Sequence, residues 1–366
     1  MTANFLHGIE TVEVERGPRA IRVVKSAVIA LVGTAPIGPI NELTLSQTEV
    51  DDAKFGPDLA GFSIAEALAG IHAFGAGTIL VVNVLDPAIH RSNVVGQARQ
   101  FGDNDLLQLQ HGALQLLVLK SEDGNNTYVL GTDYSVSMLT GQVTRLATGS
   151  IPATAKVKAD YTHADPSKVT PADIIGSVTQ AGRRTGLKAF PDSYNLFGFF
   201  PKLFIAPGFS TLNSVGVELI SVATQLGGVA YIDAPIGATV QQVIAGRGPV
   251  GTINFNTSSD RVRLCYPHVK VYDANTNGER LQPLSIRAAG LRAKVDNDKG
   301  YWWPSSNQEL VGVIGLERPL TARVDDPNSE VNRLNESGIT TVFNSFVTAL
   351  RLWGNRTAAW PTVTHM

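Results

Sequence analysis

The amino-acid sequence predicts an α/β core sheet with an inserted antiparallel all-β domain and an extended N-terminal arm. Three observations carry that prediction. Short, continuous apolar runs alternate with stretches of 3.6-residue periodicity on both sides of the chain's middle. The middle itself, 88–170, is made of short alternating pieces separated by Gly, Asn, Asp and Pro. The opening "HGIETVEVERGP" alternates like a strand yet precedes any segment able to form a core.

In that opening arm (1–20), Val12 and Val14 fall on one face while Glu13 and Glu15 fall on the other, and Gly17-Pro18 ends the run. An isolated strand is not stable, so this one needs an acceptor edge in its own chain or in another. The first part of the core (21–87) follows. "SAVIALVGTAP" holds a continuous apolar run from Ala27 to Val32, closed by Gly33 and Pro36, as in a central strand covered on both faces. Ser63 and Glu66 have capping-box spacing, and Ile64, Leu68 and Ile71, with Phe74 beside them, form one helical stripe. "TILVVNVL" is the next buried strand, and strand, helix and strand in this order imply a right-handed parallel crossover.

The predicted insertion spans 88–170, with pieces such as "NTYVLGTDYSVSML" and "ATAKVKADYTHA". Thr170 then caps a helix with Pro171 at its first position and brings the chain back to the second part of the core (171–366). There "KLFIAPG" is a strand, and Leu212, Val215, Leu219, Val222 and Leu226 mark one face of a helix stopped by Gly227-Gly228. "VAYIDAP", a helix at Val240 to Ala245 and a strand over "RVRLCYPHVKVYD" continue the alternation.

Composition narrows the function. The chain has 366 residues, only 17% of them charged, against roughly 25% in a typical soluble domain, which favours burial of surface against partners. Net charge is −2, with Lys and Arg dispersed, so no basic stripe tracks a nucleic-acid backbone. No apolar run approaches the roughly 18 residues that span a bilayer, and "MTANFLHGIE" lacks a secretory pattern, so the expectation is a chain that starts in the cytoplasm and engages no membrane. The single cysteine, Cys265, lies in a strand and reads as a buried, inert thiol.

Chemistry-bearing motifs are weak. "GRGPVG" (246–251) satisfies G-x-G-x-x-G, but a helix precedes it and an extended stretch follows, so it reads as a turn and not a dinucleotide site. The seven histidines are scattered without metal-ligand spacing, and His72 reads as structural. "HADP", "VDDP" and "FGDND" read as turns. No catalytic, cofactor or metal residue is therefore assigned, and no cofactor is expected. One cluster stands apart: "DNDKGYWWPSSN" (296–307) gathers Tyr301, Trp302 and Trp303 in a loop, either as a plug packed on its own domain or as an anchor at an interface.

The chain resembles the contractile tail sheath proteins of bacteriophages and related injection machines, almost from end to end. "HGIETVEVERGPRAI" is similar to that family's opening arm, and "AVIALVGTAPIGPINE" with "FGP" to its first core strand and loop. "LGTDYSVSMLTGQVTRL" resembles its inserted β domain, and "PKLFIAPGFS" with "YIDAP" its central region. The most specific stretch is "RAAGLRAKVDNDKGYWWPSSNQELVGVIGL", followed by "LNESGITTV" and "LWGNRT". Two departures stand out. Leu284-Ser285-Ile286 replaces the family's Pro-Ser-Gly, leaving the local turn there unsupported. The family's C-terminal domain, with its tube-facing helices, is expected to be missing after residue 366, which would leave the chain largely monomeric by itself.

The resemblance implies a structural, non-enzymatic subunit. It would polymerise with itself as stacked hexameric rings in a helix around the tail tube protein, between baseplate and tail terminator proteins. Its place would be the virion tail, and the host cytoplasm during assembly. It also implies that the arm (about 4 to 16, with Ile9, Val12, Glu13, Val14 and Glu15) crosses to a neighbouring subunit, with Gly17 and Pro18 as hinge. Two competing readings are a doubly wound α/β enzyme, with its ligand near "APGFS" or "DAPIG", and a static or adhesive surface protein.

Overall fold

A computed structural model describes residues 26–344 and 349–361. The core is a nine-stranded mixed sheet. In chain order its strands are β1 (Val28–Gly33), β2 (Thr44–Ser46) and β3 (Thr78–Asn83), then β10 (Leu203–Ile205), β11 (Val229–Asp233), β12 (Val262–Cys265), β15 (Gln308–Glu309), β17 (Ile339–Asn344) and β18 (Leu350–Trp353). Their spatial order is β15-β18-β17-β12-β11-β10-β1-β3-β2. From β3 to β17 the neighbours pair in parallel, and β2, β18 and β15 are antiparallel additions at the two margins.

Strand β1 shows why an unbroken apolar run suits a central strand: all six residues are buried. Period-two geometry sends Ile29 and Leu31 to one face and Val28, Ala30 and Val32 to the other. The first face packs on helices α2 (Ile64–His72) and α7 (Leu284–Lys299). The second packs on α3 (Pro171–Ile175), on the 3-10 turn Gly186–Asp192, and on α5 (Asn213–Leu226). Short helices α1 (Glu49–Asp52) and α4 (Ser193–Phe197) lie in the connections, while α6 (Val240–Ala245) and α8 (Glu330–Glu336) close a third cluster over β12 and β17. Strands β1 and β3, connected through α2, pair in parallel as the sequence predicts. Thr170 and Pro171 open α3, also as expected, and Thr170 further makes a capping box with Asp173, while Gly227 ends α5 in the left-handed region at φ +64.

Between β3 and β10 the chain forms two three-stranded antiparallel sheets. One is β4 (Arg91–Gln100), β9 (Lys156–Ala164) and β6 (Leu114–Ser121), in the order β4-β9-β6. The other is β5 (Leu106–Gln108), β8 (Gln142–Arg145) and β7 (Tyr134–Ser137), in the order β5-β8-β7. They share a core of their own around Phe101, Leu107, Leu119, Tyr134 and Val143.

Two local readings are corrected. The Ser63–Glu66 capping box does not form. Ser63 sits in the right-handed helical region, and its Oγ instead accepts the Thr34 N–H at 3.1 Å. Glu66 is drawn to Gln282 (3.2 Å) and Arg280 (3.4 Å), so tertiary partners outcompete the cap. "RVRLCYPHVKVYD" is two strands, because the chain leaves the large sheet at Pro267, which has no N–H to offer a ladder. The second half, β13 (Val269–Asp273), joins β14 (Gly278–Gln282) and β16 (Gly315–Leu316) in a separate antiparallel sheet. Residues 284–286 form no turn and open α7 behind Pro283.

Candidate subunit interface

The connection that follows β3 places β10 on the other side of β1, so the strand order reverses between β1 and β10. In doubly wound enzymes a ligand sits outside the carboxyl ends of the strands at such a point. Here those ends are stitched shut. The Asn83 Oδ1 accepts the N–H groups of Ala35 (2.9 Å) and Leu85 (3.1 Å), and Thr34 and Ser63 bond to each other's backbone.

Beside them lie Ser210, Asp233 and His268, the residue types of a nucleophilic triad. Their geometry is structural. The Ser210 hydroxyl donates to Asp233 Oδ2 (3.2 Å) and accepts the Asp233 N–H (3.1 Å), so its donor and one lone pair go to the acid rather than to an imidazole. Asp233 Oδ1 accepts the Ser285 N–H at 2.9 Å, and His268 lies 3.6 Å from Glu317. All of Ser210, Asp233, Ser285 and His268 are buried. Burial pushes the Asp233 carboxyl up, opposed by nearby His268. The network ties the ends of β10 and β11 to the start of α7, a coupling with no pattern in the sequence. Cys265 is buried as expected, and burial raises its thiol well above the ordinary range.

The "GRGPVG" turn has a structural use that the sequence reading missed. Arg247 reaches five backbone carbonyls: Ser337 (3.0 Å), Phe255 (2.7 Å), Thr257 (2.6 Å), Ala358 (2.5 Å) and Trp360 (3.1 Å). His72 bonds Asp52 at 2.7 Å, a structural role. Among the described residues no group of three or more His, Cys, Asp or Glu is placed to hold a metal ion, and no helix is long and apolar enough to cross a membrane.

What the described surface offers is apolar area. Helix α7 ends at Gly300, φ +94, where a Cβ would fall 2.4 Å from the Trp302 ring, so only glycine lets the loop fold back. Arg292 then holds the loop's backbone, donating to the Trp303 carbonyl (2.7 Å) and the Ser305 hydroxyl (3.0 Å). With the backbone held, the rings point outward: Tyr301 is 73% exposed, Trp302 71% and Trp303 45%. Tyr301 meets Trp302 edge-on at 5.3 Å, and the Lys299 ammonium lies 5.1 Å from the Trp303 ring centre. A plug would be buried, so the packing alternative is corrected: these rings stand in solvent. A separate 590 Å³ groove of mixed polar and apolar lining runs along Leu310, Val311, Ile314, Leu316 and Leu350. A second aromatic stretch, unanticipated from sequence, exposes Tyr194 and Leu196 beside half-buried Phe197, Phe199 and Phe200. The arm residues Ile9, Val12, Glu13, Val14 and Glu15, and the hinge Gly17 and Pro18, lie outside the described residues.

Comparison with known proteins places this architecture. The model of the phage tail sheath protein central domain matches residues 150–358. A second model, described as a protein of unknown function, matches residues 88–172. The tail sheath protein of Burkholderia phage BcepMu is 62% identical over 368 residues, spanning 100% of this chain and 77% of that protein. A putative prophage major tail sheath protein of Pseudomonas aeruginosa (strain UCBPP-PA14) is 34% identical over 197 residues, 53% of this chain and 48% of that protein. The helical sheath of the anti-feeding prophage in its contracted state aligns with a TM-score of 0.49 and 15% identity, over 96% of this chain and 69% of that one. On the family model and the match to the BcepMu protein over all of this chain, the chain belongs to the phage tail sheath protein family, a structural component of contractile tails and not an enzyme.

Proposed function

We propose that this chain polymerises with copies of itself into a helical sheath around a tail tube, above a baseplate and below a terminator, and that contraction of the sheath drives the tube through the target envelope. The carrying observation is the match to a tail sheath protein across the whole chain. No fuel is needed, since an extended lattice that buries less surface than a contracted one stores the energy itself. Assembly would take place in the host cytoplasm, and the finished protein would reside in the virion tail. In this reading residues 88–170 are an insertion that projects outward, where periphery tolerates variation.

The arm supplies the link between copies. Its alternating Val12/Val14 and Glu13/Glu15 faces suit an extended segment added to a sheet edge of a neighbour, where main-chain hydrogen bonds give affinity and every second side chain is buried. Head-to-tail links of this kind generate an open helix, and a tether at the Gly17-Pro18 hinge keeps subunits joined while they rotate. Co-expression of the complete gene product with the cognate tube protein tests the reading by negative-stain microscopy. Sheathed tubes of two lengths are expected, and deletion of residues 2–18 should abolish them with the circular dichroism unchanged. Bare tubes beside the intact chain would overturn the assignment.

The Tyr301-Trp302-Trp303 brow serves in this reading as an anchor against a second copy, supported by its outward rings on a pinned backbone. Buried aromatic anchors commonly cost about 2 kcal/mol or more on truncation. Trp302→Ala should therefore raise the critical concentration for sheath assembly by about thirtyfold while leaving the monomer's melting temperature unchanged. Equal assembly of variant and parent would remove the brow from the interface.

A further inference from the structure

Where the two small sheets meet the α/β body, two cores adjoin. Ala113 and Ala164 belong to the body's cluster with Phe62, Val82 and Leu85, whereas Leu114 and Tyr161 belong to the cluster of the small sheets. The ladders of β6 with β9 and of β4 with β9 run on to this seam through Ala164 N–H to the Ala113 carbonyl (2.9 Å) and Asp165 N–H to the His90 carbonyl (2.9 Å). At the seam the rings of His111 and His163 lie face to face, centroids 4.0 Å apart and 2° from parallel.

Hydrogen bonds at Nδ1 hold both rings of the stack in place. His163 Nδ1 lies 2.9 Å from the Ala164 carbonyl, which can only accept, so that nitrogen carries the proton. His111 Nδ1 meets the Tyr161 hydroxyl at 2.9 Å. Two neutral imidazoles stack favourably, but two imidazolium ions at that spacing repel. The charges facing the pair are few. Arg99 from β4 adds to the repulsion. Asp165 opposes it, but its carboxylate is already committed to the Ser92 (2.6 Å) and Ser167 (2.6 Å) hydroxyls. On the body side Asp173 of α3 faces His90 at 3.4 Å, and His90 Nδ1 accepts the Asp86 N–H.

We propose that the His111–His163 stack is an acid-sensitive latch: protonation drives the two rings apart and opens the β6–β9 end that lies against the α/β body. Burial, helped by the neighbouring His163, holds His111 below its ordinary value of 6.5. A histidine depressed in this way gives stability that is complete above its unfolded value and is lost as pH falls below it. The seam's acids do not follow in that window. Burial favours the neutral form of Asp165, but the serine hydrogen bonds outweigh it and bring the carboxyl to about 2. Asp173, despite the same burial effect, is likewise held down by Thr170.

Hydrogen–deuterium exchange at pH 7.5 and 5.0, corrected for intrinsic rates, tests the latch on the whole chain. Peptides covering 88–115 and 156–172 should open severalfold more at pH 5.0, while peptides of β1 and β3 stay protected. His111→Gln and His163→Gln should lose most of that response, and His90→Gln should keep it. Equal seam protection at both pH values, or a full response in His111→Gln, would overturn the latch. Should the variants not fold, ring-proton NMR of the parent decides. His111 is expected to titrate below 6.5, and an ordinary titration of its ring would refute the proposal.

Discussion

Arg247→Ala is expected to destabilise the chain by about 3 kcal/mol, at the upper end of ordinary single substitutions. One guanidinium gathers carbonyls from the turn after α6, the end of α8 and the segment around residues 358–360. Those carbonyls compete poorly for water once packed, so removing their common donor leaves several partly buried acceptors unpaired. Burial also lowers the guanidinium's own pKa, a sign that it has left water to make these bonds. Arg247→Lys keeps the charge but not the five-donor fork, and should recover less than half of the loss. The readout is the denaturant midpoint, together with proteolysis around residues 354–361, which should be cut first in the alanine variant. Midpoints for both variants equal to the parent's would show that the five contacts carry no net stability.

Gly290→Val is expected to cost about 3 kcal/mol, the top of the overpacking range. Helices α2 and α7 approach so closely that a Cβ on Gly290 would lie 2.7 Å from Phe74 Cδ2 and 3.0 Å from the Ile71 Cα. The phenyl can rotate away, whereas the α2 backbone cannot. Gly70 has the reciprocal problem, with Ile286 Cγ2 only 2.6 Å away. The sign is diagnostic, because in an exposed helix Gly→Ala stabilises by about 1 kcal/mol. Gly290→Ala should destabilise instead, and adding Phe74→Ala should show a favourable coupling between the two sites in a double-mutant cycle. A stabilised Gly290→Ala would mean that the helices can part at little cost.

Much of the frame was legible because period and punctuation act locally. The six buried residues of β1, the stripe of α5 with its left-handed glycine stop, and the start of α3 at Thr170-Pro171 all follow from spacing alone. The failures share one cause. Ser63 and Glu66 have the spacing of a cap, but each found a stronger partner far away in the chain. The stretch 261–273 alternates throughout, yet alternation cannot say that its two halves serve different sheets. For the candidate interface, sequence raised the question of Tyr301, Trp302 and Trp303 and left both answers open. Exposure depends on where Arg292 holds the loop, and that is a tertiary fact.

By itself, then, the sequence determined the α/β alternation, the family resemblance, the inert cysteine and the lack of any metal or phosphate motif, since each is carried by residue type and short-range order. Only the tertiary structure decided that Ser210, Asp233 and Ser285 form a sealed network, that Arg247 joins distant segments, and that His111 and His163 stack at a seam. Such contacts join residues tens to more than a hundred positions apart. Nothing in local periodicity encodes which distant polar group will be desolvated beside which, because that pairing is fixed only when the layers close and every buried donor must find an acceptor.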